Sequence, residues 1–465
     1  MGNWKKGLSL IAIAMCGGTI SSRAEQAGEG ADNALPETTI AKSLPNNGDL
    51  FDVRKDLAQD GITYGITYTG EVLGNPSGGI KQGSAYDGLV RAYVDIDFNK
   101  LVGWGGLSSH VSGYQIHSTG HVTSDDIGSL VTASNIEALD GTLLFEAWLE
   151  QKLSETLSIR FGQLAADQDF LISDTASLFI ANTFGWPVLP SVDLPSGGPI
   201  YPLATPGIRV EYKPTQQVDA LFAIYNGDPA GPGPGEPQKR DPNGVAFRLT
   251  DPPLLIGELH WKHDQETHAA TLPGTIKVGG WYHYGKFDDL RFGNDGLSLA
   301  DPASSGQPLM RRGNFAIYGI VDQQLYRLSG QDDKKGISAF ARIIGAPSDV
   351  NLVDFYADTG LVFSGFVPGR SDDMFGAAIA YSRVSERARN LDRDASAFAG
   401  NSLIRNGETA IELNYQAQIA SGWTAQPWFQ YILHPGGNVA NPTDPTSPRA
   451  IGDAAVVGLR TTVSY

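Results

Sequence analysis

Val90-Arg91-Ala92-Tyr93-Val94-Asp95-Ile96-Asp97-Phe98 is the stretch on which the fold turns. Successive side chains of an extended chain point to opposite faces. Val90, Ala92, Val94, Ile96 and Phe98 therefore share one side, and Arg91, Tyr93, Asp95 and Asp97 the other. One face is apolar along its whole length, and the other carries charges that need water. The neighbouring stretches obey the same period. Ile62, Tyr64, Ile66, Tyr68 and Val72 oppose Thr63, Gly65, Thr67, Thr69 and Glu71. Leu143, Phe145, Ala147 and Leu149 oppose Glu146, Trp148, Glu150 and Lys152.

Alternation recurs to the end of the chain. It appears near 107–116, 156–163, 207–213, 216–226, 244–249, 254–263, 275–286, 314–327, 336–345, 351–363, 375–385, 408–419, 423–433 and 454–465, giving about sixteen to seventeen segments. Most are 8–12 residues long, close to the ~9–11 of a tilted membrane strand. No linker or composition break interrupts residues 62–465. Lipid demands that every backbone group be paired, so strands must close into a ring. A wide ring holds water inside. The expected fold is all-β: a transmembrane antiparallel β-barrel of about 16 strands over 62–465, with one short N-terminal helix near Leu50–Gly61. The helix is read from apolar Leu50, Val53 and Leu57 and the stop at Gly61.

Composition narrows the class further. The 465 residues include 51 Asp or Glu, 34 Lys or Arg, and a single Cys. A net charge of −17 lacks the basic stripe of a nucleic-acid binder. One Cys builds neither a disulfide framework nor a Cys-based metal site. Lys5 and Lys6, a short apolar run and small residues ending at Ala24 read as a signal peptide over 1–24. Its removal takes Cys16 and three basic residues, so −17 becomes −20. Residues 25–61 form an N-terminal extension carrying the helix. Beyond the leader no apolar run is long enough for a membrane helix, and hydropathy says nothing about barrel strands. The last strand places Ala455, Val457, Leu459, Thr461, Val463 and Tyr465 on one face.

The order and spacing of several motifs resemble the carbohydrate-selective porin family, the OprB-type outer-membrane sugar porins. They are Tyr68-Thr-Gly-Glu71, Gly78-Gly79, Tyr86-Asp-Gly88, Leu101-Val-Gly-Trp104-Gly-Gly-Leu107, Phe161-Gly-Gln163, Phe179-Ile-Ala-Asn-Thr-Phe-Gly185, Pro206-Gly-Ile-Arg209-Val-Glu-Tyr212, Glu408-Thr-Ala-Ile-Glu412-Leu-Asn-Tyr415 and Gln426-Pro-Trp428-Phe-Gln430. The resemblance spans essentially 25–465. It implies a sixteen-stranded channel of the bacterial outer membrane, passing monosaccharides such as glucose into the periplasm by facilitated diffusion. It implies no cofactor and no enzyme activity. The partners it implies are small neutral sugars, outer-membrane lipid and lipopolysaccharide, and the barrel assembly machinery, which reads a C-terminal strand ending in an aromatic such as Tyr465. Monomer and homo-oligomer both stay open.

A sugar path needs donors and acceptors for hydroxyls, and flat aromatic faces for C–H surfaces. Charged hydrogen bonds are the stronger ones, and Arg offers a planar fork of donors. The water-facing sides supply Arg91, Trp148, Glu71, Asp95, Asp97, Glu146, Arg160, Trp428 and Gln430 as candidate pore-lining residues. Arg91 and Trp148 lead that set. The long Pro-rich stretch from Leu164 to Thr205, with apolar Ser177–Ala181, is expected to fold into the pore or to lie as a surface loop. His110, His117 and His121, and His260, His263 and His268, fit no metal motif and are read as wall or loop residues. Three alternatives stand beside the sugar porin: a general or organic-acid porin on the same barrel, a secreted all-β binding protein, and a barrel hydrolase.

Overall fold

The computed structural model describes residues 38–265, 271–329, 334–400, 403–444 and 449–465. The expected leader with Cys16, and His268, lie outside them. Sixteen strands follow in order: β1 (Ile62–Gly79), β2 (Gly83–Asp97), β3 (Leu107–Ser118), β4 (Gly141–Lys152), β5 (Leu157–Leu164), β6 (Thr205–Tyr212), β7 (Val218–Asn226), β8 (Pro253–His263), β9 (Gly274–Gly293), β10 (Pro308–Arg327), β11 (Gly336–Gly345), β12 (Val353–Ser364), β13 (Met374–Val384), β14 (Gly407–Ala420), β15 (Trp423–Leu433) and β16 (Gly452–Ser464). Each pairs antiparallel with the next, and β1 closes on β16. Among the described residues no helix is long and apolar enough to cross a membrane.

The outward side chains form an apolar belt. Ile66, Val72, Phe222, Val278, Ile317, Ile343, Ile379, Leu413, Val457 and Leu459 are all exposed on the barrel's outside. Leaving one such side chain in water forfeits ~1.5–3 kcal/mol of burial. A ring of them is tenable only against lipid.

Two features depart from strict alternation. The stretch 244–249 forms no strand, because β7 and β8 pair directly and leave no free edge. Its Val245 and Ala246 amides bond to the Asp241 carboxylate instead. Removing it from seventeen segments leaves sixteen. In β4, Ser112 faces Glu146 and Gly113 faces Leu144, so Phe145 is an extra, bulged residue. A bulge re-aims the residues beyond it. Leu143 and Phe145, which alternation sends outward, are instead buried inside beside Tyr114, whose ring centroid is 4.6 Å from that of Phe145.

The connections are unequal. One end carries the long ones, such as 119–140, 165–204, 227–252 and 385–406, and the other shorter ones, from the two-residue turn 421–422 to connections of at most ten residues such as 264–273. In transmembrane barrels the long connections lie outside and the short turns face the periplasm. The N-terminal extension meets the seam at the short-turn end. Its helix, Val53–Gln59, exposes Val53 and buries Arg54, the reverse of the apolar face expected. The Arg54 guanidinium sits between the rings of Tyr64 and Tyr465, at 4.9 and 4.7 Å, and donates to the Tyr64 carbonyl at 2.7 Å. The Tyr465 hydroxyl donates to the Gly48 carbonyl at 2.7 Å. Residues 39–54 thus clasp the β1–β16 closure.

Candidate functional site

Two segments from the long-connection end fold into the lumen. Their irregular backbone leaves amides and carbonyls that need partners away from water. The charged inward residues of the wall supply them. In the first segment, 119–140, the Ser134 hydroxyl donates to Glu71 at 2.7 Å, and Glu71 is held by Arg460 at 2.8 Å. Glu408 accepts from the Ser129 hydroxyl, the Leu130 amide and the Gly436 amide at 2.7, 3.0 and 2.7 Å. Gln430 donates to the Ala133 carbonyl at 2.8 Å. Within the segment, Glu137 accepts from the Thr123 hydroxyl at 2.6 Å. Burial pushes the Glu137 carboxyl up to about 7, against the pull of the Thr123 hydrogen bonds.

The second segment, 165–204, spans to the far wall. Arg342, fully buried on β11, donates to the carbonyls of Leu171, Thr183, Phe184 and Gly185 at 2.6, 3.0, 3.0 and 3.1 Å. Asp358 neutralises it at 2.5 Å. Glu412 receives the Ile180 and Ala181 amides, both at 2.8 Å. Lys277 donates to the Ile172 carbonyl at 2.7 Å. Phe170, Phe179, Phe184, Trp186 and Leu189 then pack on inward Tyr225, Trp281, Tyr318, Phe340 and Tyr356, so this part of the lumen holds a hydrophobic core. The segments also bond to each other, through the Asn135 amide to the Ile180 carbonyl at 2.9 Å and the Asn182 amide to the Thr132 carbonyl at 3.2 Å. Burial raises the Asp167 carboxyl to about 6, offset by the Tyr201 amide bonded to it at 3.0 Å.

The wall of β2–β6 toward the short-turn end is arranged differently. Asp95, His110 and Trp148 stand in register across β2, β3 and β4. The rings of Tyr93, His110 and Trp148 stack, with centroids 5.9 and 5.2 Å apart and interplanar angles of 20° and 19°. Arg91 covers the outer face of Tyr93 at 5.1 Å, and Arg160 covers Trp148 at 4.0 Å. The result is a rib, Arg91–Tyr93–His110–Trp148–Arg160, with a guanidinium at each end. Asp95 holds His110 Nδ1 at 2.6 Å. Glu150 grips Arg160 at 2.8 Å and Arg209 at 3.2 Å. Asp169 of the second segment reaches the same two arginines at 3.4 and 3.5 Å.

The nine residues singled out from sequence divide into three groups. Arg91, Asp95, Trp148 and Arg160 come together in the rib. Glu71, Glu146, Trp428 and Gln430 are buried beneath the inserted segments. Glu146 accepts the Ala165 amide at 3.1 Å. Trp428 lies so close over Gly458 that a Cβ there would meet its indole at 2.4 Å. Asp97 ends β2 and accepts the Asn99 amide at 2.9 Å, capping the turn. The candidate set drawn from sequence lacked Arg209, Asp169 and Arg342, and held His110 only as a wall or loop residue. Arg209 shares a face with Glu211, and that charged pair at i and i+2 marked the arginine as inward-facing. Nothing local marked Asp169 or the role of Arg342.

A family model described as carbohydrate-selective porin, OprB family, matches residues 81–465. The chain is 25% identical over 414 residues to Porin B of Pseudomonas aeruginosa, covering 84% of this chain and 87% of that protein. Among solved structures, the high-pH structure of Pseudomonas putida OprB superposes with a TM-score of 0.75 at 21% identity, over 89% of this chain and 96% of that one. The low-pH structure of the same protein gives 0.50 at 18% identity.

Proposed function

This chain belongs to the carbohydrate-selective porin family OprB and is a sugar porin of the bacterial outer membrane, and we propose that its cargo is a monosaccharide that passes along the Arg91–Arg160 rib. The observation that carries this reading is the capped stack. The aromatic faces are covered by one another and by guanidiniums. A passing solute meets ring edges, the two arginines and the carboxylates of Asp95 and Glu150. That surface suits hydroxyls, which donate and accept, more than it suits apolar stacking. Contacts of this kind must stay weak enough for release.

Charge balance favours a neutral cargo over an organic acid. Around the rib, Asp95, Glu146, Glu150, Asp167, Asp169 and Glu211 outnumber Arg91, Arg160 and Arg209. Arg160 and Arg209 are already paired with carboxylates, so a carboxylate solute finds neither of these two cations uncompensated. The chain acts by diffusion, without catalysis.

Liposomes reconstituted with the protein test the cargo. Glucose is expected to cause faster swelling than gluconate of similar size, and Arg160→Gln to slow glucose several-fold. Gluconate entering as fast as glucose would return the organic-acid reading. No swelling at all would remove the sugar path.

A further inference from the structure

The β9–β10 hairpin outgrows its neighbours. The last β8 partner of β9 is His283, opposite Leu254, and the last β11 partner of β10 is Ile317, opposite Gly345. Beyond these pairs only β9 and β10 remain together. On this projection Lys286 stands directly opposite Arg312. A Cβ on Gly285 would meet the inward His283 ring, so Lys286, the next residue, points away from the lumen. Arg312 stands directly opposite it and shares that side, and both are exposed.

Like charges directly opposed on two strands are destabilising. This chain is strongly acidic, and several other arginines at this rim are compensated. Arg291 grips Asp394, Arg311 grips Asp289, Arg383 grips Asp354 and Arg405 grips Asp392. Among the described residues Lys286 and Arg312 form no ion pair within 4.0 Å, although Asp288 lies two residues further along the same face. Their position is equally specific. Outward-facing Tyr282 and Tyr284 are the last aromatic residues of the belt on β9, and Phe315 is the last on β10, with Met310 the one exposed large apolar side chain beyond it on that strand. Lys286 follows Tyr284 by two residues, roughly 7 Å along the strand. Aromatic girdles mark the level of the head groups. The pair sits just above that level on the long-connection side, facing the outer leaflet.

We propose that Lys286 and Arg312 form an outward site for the phosphate groups of lipopolysaccharide. A phosphate between them would supply the missing counter-charge to both. The Arg fork and the Lys ammonium are the two side chains best suited to it.

The test uses the full-length protein in detergent, with defined bisphosphorylated lipid A followed by native mass spectrometry. The wild type is expected to retain this lipid and to lose most of it when the lipid is dephosphorylated. Lys286→Gln and Arg312→Gln together should weaken retention roughly tenfold or more, since each basic group near an anionic surface contributes about 1 kcal/mol. Lys286→Gln alone should give an intermediate value. Heat-modifiable gel mobility confirms that each variant is folded. Equal retention by wild type and the double variant would overturn the site. Equal retention of dephosphorylated lipid, or full displacement by millimolar inorganic phosphate, would overturn the lipid phosphate as its occupant.

Discussion

The inward faces of β2–β6 and of β8–β13 obey the same period-two pattern, yet they meet different neighbours. On β8–β13 the second inserted segment covers the wall. Its apolar side chains make a core, and Arg342, Lys277 and Glu258 serve its backbone. On β2–β6, toward the short-turn end, the wall side chains instead stack on one another and form the rib. Identical alternation therefore supports two jobs. One wall anchors an inserted segment, and in the proposed reading the other meets the solute. A charged inward residue is a strut where irregular backbone reaches it, and elsewhere it stacks on or pairs with its neighbours on the wall.

The sharpest way to break this contrast is Arg342→Ala. It removes the donor to four carbonyls and strands Asp358 as a buried charge. Breaking such a pair costs about 3–5 kcal/mol. The second segment should loosen, single-channel conductance should rise, and disaccharides should enter liposomes nearly as fast as glucose. Unchanged conductance would show that the segment is held without the Arg342 pin.

The next effect is on the rib. His110→Ala removes the middle plate of the stack, leaving Tyr93 and Trp148 without their shared ring. Glucose flux should fall several-fold while conductance and thermal stability stay nearly constant, and His110→Phe should restore part of the flux. A loss of stability without a change in glucose selectivity would make the rib a strut like the opposite wall.

The smallest effect concerns pH. Glu137 and Asp167 have carboxyls raised by burial to about 7 and about 6. A raised carboxyl binds more protons when folded. Its contribution to stability is full below the ordinary carboxylate range and is lost as pH rises through the raised value. The anchoring of both segments should weaken between about pH 4.5 and 7, seen as faster amide exchange over 119–140. Glu137→Gln should flatten that profile. A profile that steepens in the opposite direction would contradict the buried setting of this group.

Much of the fold was legible because side-chain period is local. Arg91, Asp95, Trp148 and Arg160 were assigned the inward side correctly by counting along a strand. Leu143 and Phe145 were not, because the bulge at Phe145 depends on how β3 pairs with β4. Glu71, Glu146, Trp428 and Gln430 also face inward as expected, but their burial comes from segments that arrive from elsewhere in the chain. Arg54 shows the same limit. Its place between Tyr64 and Tyr465 joins residues more than 400 positions apart, and no local pattern carries that contact.

The sequence by itself determined a closed ring of strands, an apolar outside and a polar inside. Alternation and the need to pair every backbone group in lipid allow little else. Tertiary structure alone decided which inward charges hold inserted backbone and which gather in the rib. It also decided that the aromatic faces of the rib are closed to stacking, and that Lys286 and Arg312 stand opposed outside the barrel. Those outcomes depend on strand register and on where 119–140 and 165–204 come to rest, and both are set by contacts between residues far apart in the chain.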